Sequence, residues 1–214
     1  MTDAEGGVSA RTYNGRGLVT EFEDALGAAT QVQFDAVGQR TAYVDAAGGT
    51  TSYVYDALGR MTQSTSPTGG VTTYVYDAEG RVTATTSPDG VVRETSYDSM
   101  GRVLTVKVDG LTVSSSTYDA AGRVATATNG TGDTTSYVYD DAGRLVGTTY
   151  ADGSSVSSVF DAAGQVTSQT SAAGTVSFVY DARGRAVSVT GLDVDRAQLA
   201  HELIDPFILK RDER

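Results

Sequence analysis

The sequence predicts an all-β fold: an antiparallel array of β-hairpin repeats with a short helix at the C-terminal end. Three observations predict it: a motif that returns about every 21 residues, glycines at a fixed phase between its copies, and intervening runs rich in Thr, Val, Ser and Tyr. β-branched and aromatic residues favour pleated strands, whereas Gly beside Asp or Asn favours tight turns. We expect the resulting sheet to be curved, or to close toward a barrel.

The motif reads Tyr-Asp-x-x-Gly-Arg and is complete in six copies. Weaker copies begin at Tyr13, Phe34 and Phe160, so nine units of about 21 residues are expected over residues 13–190. Residues 1–12 are then a lead-in. The residues of the complete copies are Tyr55, Asp56, Gly59 and Arg60; Tyr76, Asp77, Gly80 and Arg81; Tyr97, Asp98, Gly101 and Arg102; Tyr118, Asp119, Gly122 and Arg123; Tyr139, Asp140, Gly143 and Arg144; and Tyr180, Asp181, Gly184 and Arg185.

A second series of glycines lies midway between the motifs. Each unit is therefore predicted to contain two turns and two strands of about six residues, such as Thr50–Tyr55. The glycines of this series are Gly27, Gly48, Gly69, Gly90, Gly132, Gly153 and Gly174, with Gly110 displaced from the phase by one residue.

The motif itself is predicted to be a hairpin turn. We expect Asp56 to Gly59 to form a four-residue loop, with Tyr55 opposite Arg60 and the guanidinium on the ring of that tyrosine, an interaction of about 0.5–1 kcal/mol at an exposed site. A β-bulge would shift this register. The pairs expected on one face are Val54 with Met61, Val75 with Val82, Val138 with Leu145 and Val159 with Val166, and Tyr53 is expected opposite Thr62 on the other face.

Composition excludes several classes of function. The chain has 16 Lys and Arg against 27 Asp and Glu, a net charge of −11, which argues against sequence-independent nucleic-acid binding and against docking on an anionic membrane. No run of apolar residues is long enough for a membrane span, and the first residues do not resemble a secretory signal. The absence of Cys excludes disulfides and thiolate chemistry.

Catalytic and metal sites find little support. His201 is the only histidine, and we expect it to be a surface residue rather than a base or a metal ligand. The repeated Asp residues offer one carboxylate in each turn, too few for calcium, so we expect them to cap the turns. No nucleophile elbow, phosphate loop or dinucleotide fingerprint is present. The sequence predicts a protein without enzymatic activity and without a cofactor.

The tyrosines allow two interpretations. Rings that recur on one strand face could stack on sugar rings, and Tyr53, Tyr74 and Tyr137 are the candidates for such a ligand platform. The same rings could instead pack across strands within the repeats.

Residues 191–214 have a different composition. Asp193 or Asp195 could cap a helix that extends to about Asp205 and ends before Pro206. Such a helix could cover the end of the array, as repeat proteins require. It could alternatively be the terminus left by a truncated gene, or a docking helix for a partner protein.

The repeated motif resembles that of the Rhs/YD-repeat family, which includes bacterial Rhs polymorphic toxins, shell-forming subunits of insecticidal toxin complexes and animal teneurins. The resemblance implies β-ribbons that spiral into a hollow shell, often around a toxin, and it makes the motif residues structural. It also implies a secreted or cell-surface location. The chain departs from the toxin-bearing members, because Asp205-Pro206 lacks their surrounding self-cleavage motif.

These inferences favour a structural scaffold module of bacterial surface or toxin-delivery type. The alternative is a carbohydrate- or partner-binding module that uses the repeated Tyr face. The expected partners are other YD-repeat segments, a toxin domain or glycans, with neither nucleic acid nor a membrane span.

Overall fold

The computed structural model describes residues 8–191, which form 18 strands and no helix. The helix predicted after Gly191 lies outside the described residues, as does His201. The strands are β1 (Ala10–Tyr13), β2 (Val19–Glu23), β3 (Ala29–Phe34), β4 (Arg40–Val44), β5 (Thr50–Tyr55), β6 (Met61–Thr65), β7 (Val71–Tyr76), β8 (Val82–Thr86), β9 (Val92–Tyr97), β10 (Val103–Val108), β11 (Leu111–Tyr118), β12 (Val124–Asn129), β13 (Thr134–Tyr139), β14 (Leu145–Thr149), β15 (Ser155–Phe160), β16 (Val166–Ser171), β17 (Gly174–Tyr180) and β18 (Ala186–Thr190).

The chain divides into two compact units whose boundary falls within β11, between Ser115 and Ser116. In the first unit, β1 to β10 and the start of β11 follow one another as an antiparallel meander. In the second unit, β12 to β18 do the same. Within each unit the pairings follow chain order, so neither sheet closes on itself. The prediction of an all-β hairpin array is confirmed.

Each motif turn is a three-residue loop closed by its own Asp and Arg. In the turn of Asp56, the backbone N–H of that residue donates to the Arg60 carbonyl at 2.9 Å, and the Gly59 N–H donates to the Asp56 carbonyl at 3.0 Å. Gly59 has a φ of 82°. These features define a type I turn followed by a left-handed residue, a common hairpin connection. The predicted four-residue loop is therefore wrong by one residue.

The register predicted for the hairpins is also wrong, because a β-bulge follows each of these turns. Tyr55 pairs with Met61, and Thr62 is the extra residue, whose hydroxyl donates to the Val54 carbonyl at 3.3 Å. The loop and the bulge together move each pair by two residues, which keeps the faces as predicted. The observed pairs are Val54 with Gln63, Val75 with Ala84, Val138 with Gly147, Val159 with Ser168 and Tyr53 with Ser64.

Two shorter turns account for the two irregularities of the repeat, the displaced Gly110 and the single 20-residue spacing. Val108 pairs directly with Leu111, and both intervening residues, Asp109 and Gly110, have positive φ (49° and 79°), as a type I′ turn requires. Ser171 likewise pairs with Gly174 across two residues. This second short turn lies in the last repeat, where the motif returns after 20 residues instead of 21.

The core of both units is thin. Ala42, Val106 and Val176 are the buried hydrophobic residues among those that the structure describes. A valine precedes four of the six complete-motif tyrosines and lies on the more open face; Val54, for example, is 50% exposed. Tyr53 and Tyr55, on the opposite face, are half-buried. Contacts between polar groups must therefore contribute much of the cohesion between repeats.

Candidate functional site

The motif aspartate organises the turn with both of its carboxylate oxygens. Oδ1 of Asp56 accepts the backbone N–H groups of Leu58 at 2.9 Å and Arg60 at 3.0 Å. Oδ2 accepts the Arg60 Nε–H at 2.7 Å. Asp is favoured at this position because its short side chain reaches backbone donors two and four residues ahead. The carboxylate thereby fixes the direction in which the guanidinium leaves the turn.

The rest of the guanidinium reaches the next repeat. Nη1 of Arg60 donates to the carbonyl of Asp77 at 2.9 Å, and the guanidinium carbon lies 4.8 Å from the ring centre of Tyr76. The Tyr76 hydroxyl in turn donates to the carbonyl of Met61 at 2.7 Å. The Tyr76-Asp77 pair is thus joined to the preceding repeat by two hydrogen bonds, one from Arg60 and one to Met61, and by a cation–π contact with Arg60.

The same contacts recur in both units, and we call this series the arginine ladder. Its guanidinium-to-carbonyl hydrogen bonds measure 2.9–3.0 Å, and its guanidinium-to-ring distances are 4.6–4.8 Å. The members of the ladder are Arg60 with Tyr76, Arg81 with Tyr97, Arg123 with Tyr139 and Arg144 with Phe160.

The ladder corrects the expected partner of the motif arginine. The sequence predicted that Arg60 would cover Tyr55 in the same hairpin, and that prediction is wrong. Because Asp56 rather than Tyr55 closes the turn with Arg60, the guanidinium is held beside the carboxylate and extends over the next repeat's Tyr76. Tyr55 is bound in the opposite direction, through a 2.8 Å hydrogen bond from its hydroxyl to the Arg40 carbonyl.

The turn aspartates stay ionised more readily than ordinary aspartates. The backbone N–H of Arg60, followed by the guanidinium of that residue, lowers the pKa of the Asp56 carboxyl below its usual range. In the other turns the equivalent donor, the backbone N–H of the arginine of the same turn, is the chief cause that lowers the aspartate pKa. This holds for Asp98, Asp119, Asp140 and Asp181. For Asp77, desolvation raises the pKa, but the donors of Arg81 outweigh it. The ladder is therefore an array of charged hydrogen bonds at neutral pH.

Weaker copies of the motif keep part of this arrangement. Asn14 replaces Asp, and its Oδ1 accepts the N–H groups of Arg16 at 2.9 Å and Leu18 at 3.1 Å. Gln165 replaces Arg, and its side-chain amide donates to the Gly184 carbonyl at 3.1 Å. Phe160 keeps the ring without the hydroxyl. Each replacement therefore keeps one kind of contact: Asn14 still caps its turn, Gln165 still donates to a carbonyl of the next repeat, and Phe160 still lies under a guanidinium.

Sequence reasoning missed the threonine that follows several of these turns. Thr62, Thr83 and Thr167 donate their hydroxyls across the bulge to Val54, Val75 and Val159 at 3.2–3.3 Å. The signal is present in the sequence, since Thr stands two residues after the last motif position in five of the nine units. The recurring threonine can be assigned a structural role only once the position of the bulge is known.

The tyrosines proposed as a ligand platform lie in strands, on the sheet face opposite the exposed valines. Tyr53 and Tyr74 are in β5 and β7, and Tyr137 is in β13, and all three are half-buried. Their use as a platform stays a prediction.

Within residues 8–191, no three acidic or histidine side chains converge as a metal site would require. The same range offers no helix that could cross a membrane.

The fold and the ladder define a class of protein: a repeat array in which the side chains of each motif hold the next hairpin. The RHS repeat family model matches residues 13–50, 34–73, 55–92 and 160–193, just over half of the chain. The chain belongs to this family. The Teneurin YD-shell model matches residues 91–176. No curated protein is significantly similar to the chain.

Solved structures of toxin complexes share the fold. The crystal structure of TcdB2-TccC3 is 18% identical with a TM-score of 0.62, and the match covers 88% of this chain and 12% of that one. A structure of the Photorhabdus luminescens Tc holotoxin pore is 14% identical with a TM-score of 0.54, over 87% of this chain and 13% of that one. This chain therefore spans about one eighth of the length of the chains it matches.

Proposed function

We propose that this chain is a non-enzymatic wall segment of a YD-repeat shell, of the kind that delivers toxins outside the cell or at its surface. Family membership and the shared fold of toxin-complex structures support the structural part of this proposal. The role in toxin delivery and the location outside the cell or at its surface go beyond this support and are part of the proposal. The partners are further YD-repeat segments or a toxin component of the same assembly.

The observation that carries the proposal is the use of the motif side chains in cohesion. Arg60 uses Nε for Asp56, Nη1 for the Asp77 carbonyl and its planar face for the Tyr76 ring. The polar groups of the motif are thereby engaged in holding one repeat to the next. A wall built in this way gains strength from nearest-neighbour contacts, which add along the array.

A chimera tests the wall function. Residues 8–191 would replace a matched stretch of repeats in a shell-forming toxin-complex subunit with its cargo. We expect the cargo to stay protected from added protease, and the closed particle to be visible by electron microscopy. The matched control carries Arg60→Ala and Arg81→Ala in the inserted segment, and it should expose the cargo. An intact-ladder chimera that is β-structured by circular dichroism but leaves its cargo exposed would contradict the proposal.

The alternative function is glycan or partner binding through the tyrosine face. It is favoured by the placement of Tyr53 and Tyr74 on the same face of alternate strands in the first unit. Glycan-array screening of the chain, with Tyr53→Ala and Tyr74→Ala as controls, tests it directly. Binding that both substitutions abolish would support a platform, and signal at background would leave the wall function as the better account.

A further inference from the structure

Both asparagines of the chain, Asn14 and Asn129, are followed directly by glycine. Each begins a three-residue turn of the kind that Asp56 begins. Within residues 8–191, ten other turns of this kind begin with Asp, and none of those aspartates is followed by Gly. An Asn-Gly pair is prone to deamidation, because glycine has no side chain to shield its nitrogen as it attacks the asparagine amide. The two turns therefore carry a reactive pair that the aspartate turns lack.

The turn of Asn129 holds this amide by its oxygen and its nitrogen. Oδ1 accepts the backbone N–H groups of Thr131 and Asp133, both at 3.0 Å, and the Thr131 hydroxyl lies 2.6 Å from the same oxygen. Nδ2 donates to Oδ2 of Asp133 at 3.1 Å. Hydrogen bonds from Thr131 and Asn129 also lower the pKa of the Asp133 carboxyl, which keeps it an acceptor at neutral pH. The amide cannot rotate without breaking bonds at both ends.

The turn of Asn14 holds its amide by the oxygen. Oδ1 accepts the backbone N–H groups of Arg16 at 2.9 Å and Leu18 at 3.1 Å. These two residues stand where Thr131 and Asp133 stand in the other turn, but their side chains offer neither a hydroxyl nor an acceptor for Nδ2. The side chain of Asn14 also borders a groove of about 450 Å³, which residues of β2 and β3 line. It therefore has fewer bonds to break and room to turn.

We propose that Asn14 deamidates spontaneously in the folded chain, and that Thr131 and Asp133 protect Asn129 from the same reaction. The side chain must first leave its hydrogen bonds and bring Cγ against the nitrogen of Gly15. A base from the solvent removes the proton of this N–H, and the nitrogen bonds to Cγ. The Cγ–Nδ2 bond then breaks and ammonia leaves, which gives a succinimide. Water opens the ring, so one water is consumed for each ammonia released.

The two products of ring opening have opposite effects on the turn. Breaking the bond between the ring nitrogen and Cγ gives aspartate, which keeps an oxygen for the N–H groups of Arg16 and Leu18. Breaking the bond to the main-chain carbonyl gives isoaspartate, in which the backbone runs through the side chain and gains one carbon atom. Deamidation at Asn14 thus either restores the usual aspartate or disrupts the turn. This chemistry belongs to the chain itself and does not rest on the proposed function.

Peptide mapping by mass spectrometry measures both sites in one sample. The full chain is kept folded in mildly alkaline buffer and then digested with trypsin, which places Asn14 in residues 12–16 and Asn129 in residues 124–144. We expect Asn14 to convert about tenfold faster than Asn129, the effect of the additional hydrogen bonds that hold the second amide. In urea the two rates should become similar. Equal rates in the folded chain would overturn the proposal, as would a difference that persists in urea, since the adjacent residues alone would then explain it.

Exchanging the turn residues tests the protection directly. Thr131→Arg combined with Asp133→Leu gives the turn of Asn129 the side chains of the Asn14 turn, and both positions are exposed. We expect conversion at Asn129 to rise about tenfold in this double variant, while circular dichroism stays that of the parent. Thr131→Ser is the matched control, because it keeps the hydroxyl and should leave the rate low. An unchanged rate in the double variant would refute the protective role of Thr131 and Asp133.

Gly15→Ala tests the attacking nitrogen. Gly15 has no left-handed φ, and a Cβ there would meet no atom within 4 Å, so the turn should form as it does around Ala57. Conversion at Asn14 should be largely lost, because the methyl group hinders the approach of the nitrogen to Cγ. Conversion at the parent's rate would show that this nitrogen is not the nucleophile and would overturn the mechanism.

The effect of each product on the turn can be measured on its own. Asn14→Asp reproduces one product and should melt at or above the temperature of the parent. The isoaspartate form, separated by chromatography from an aged sample, should melt below it. If the isoaspartate form melted with Asn14→Asp, the predicted disruption of the turn would be wrong.

Discussion

The guanidinium of Arg60 lies 4.8 Å from the ring centre of Tyr76, a residue of the following repeat. The motif Tyr-Asp-x-x-Gly-Arg is therefore no self-contained hairpin. Its aspartate and arginine close one turn, whereas its tyrosine belongs to the contact with the repeat before it. The 21-residue period therefore corresponds to an interface between consecutive repeats, which recurs along the chain.

Replacing a ladder arginine by lysine should weaken this interface. In Arg60→Lys, a single ammonium group cannot bond Asp56 and the Asp77 carbonyl in the geometry of a planar guanidinium. We expect a loss of about 1–2 kcal/mol in the free energy of unfolding, measured by urea titration. Arg185→Lys is the matched control, because Arg185 has the contact within its own turn but none to a following described repeat. Equal losses in the two variants would contradict the ladder.

The turn glycine should tolerate substitution far less than its neighbour. Gly101 has a φ of 84°, where a β-branched side chain is strained, and a Cβ there would meet the Arg81 guanidinium at 3.5 Å. Met100 is 76% exposed with an ordinary backbone. We expect Gly101→Val to cost about 2 kcal/mol and to lower the thermal midpoint, with Met100→Val close to the parent. Equal midpoints would refute the assigned turn.

Local features of the array could be predicted from the sequence. The spacing of the motif and of the intervening glycines placed the strands and turns, because residue preferences in tight turns depend on the backbone of a few adjacent residues. The two-residue turn at Asp109 and Gly110 even left a visible trace, a glycine out of phase by one.

The register and the ladder could not be predicted in the same way. Nothing in the letters around Thr62 distinguishes a paired residue from a bulged one, and the bulge moves Val54 from Met61 to Gln63. The partner of Arg60 lies 16 residues ahead, in β7, beyond the next turn of the chain. The sequence indicated Tyr55 as the partner of Arg60, and the hydrogen bond to Asp56 instead directs the guanidinium toward Tyr76.

The tyrosine hydroxyl should make a separable contribution. Tyr76→Phe removes the 2.7 Å hydrogen bond to Met61 but keeps the ring under Arg60, so we expect a loss of about 1 kcal/mol by urea unfolding. Phe160 already lacks the hydroxyl at the equivalent position. Phe160→Tyr is therefore expected to stabilise the chain by a similar amount, through the carbonyl of Leu145. A loss in both variants would show that the hydroxyl is not accommodated there.

The array should lose stability in acid. The pKa of Asp56 and of the other motif aspartates is lower in the folded chain than in the unfolded one. Their contribution is therefore complete above the unfolded pKa, near pH 4, and is lost as the pH falls through the folded value. We expect the thermal midpoint, followed by circular dichroism, to change little from pH 7 to pH 5 and to fall below about pH 4.

Asp56→Asn isolates the charge in this response. Asparagine keeps an oxygen for the backbone donors, as Asn14 does, but it loses the ion pair with Arg60. At pH 7 the variant should melt below the parent. As the pH falls below about 4, the parent's own carboxylate becomes protonated, so the difference between the two midpoints should shrink. A difference that stays constant down to pH 3 would show that Asp56 acts through its shape and not through its charge.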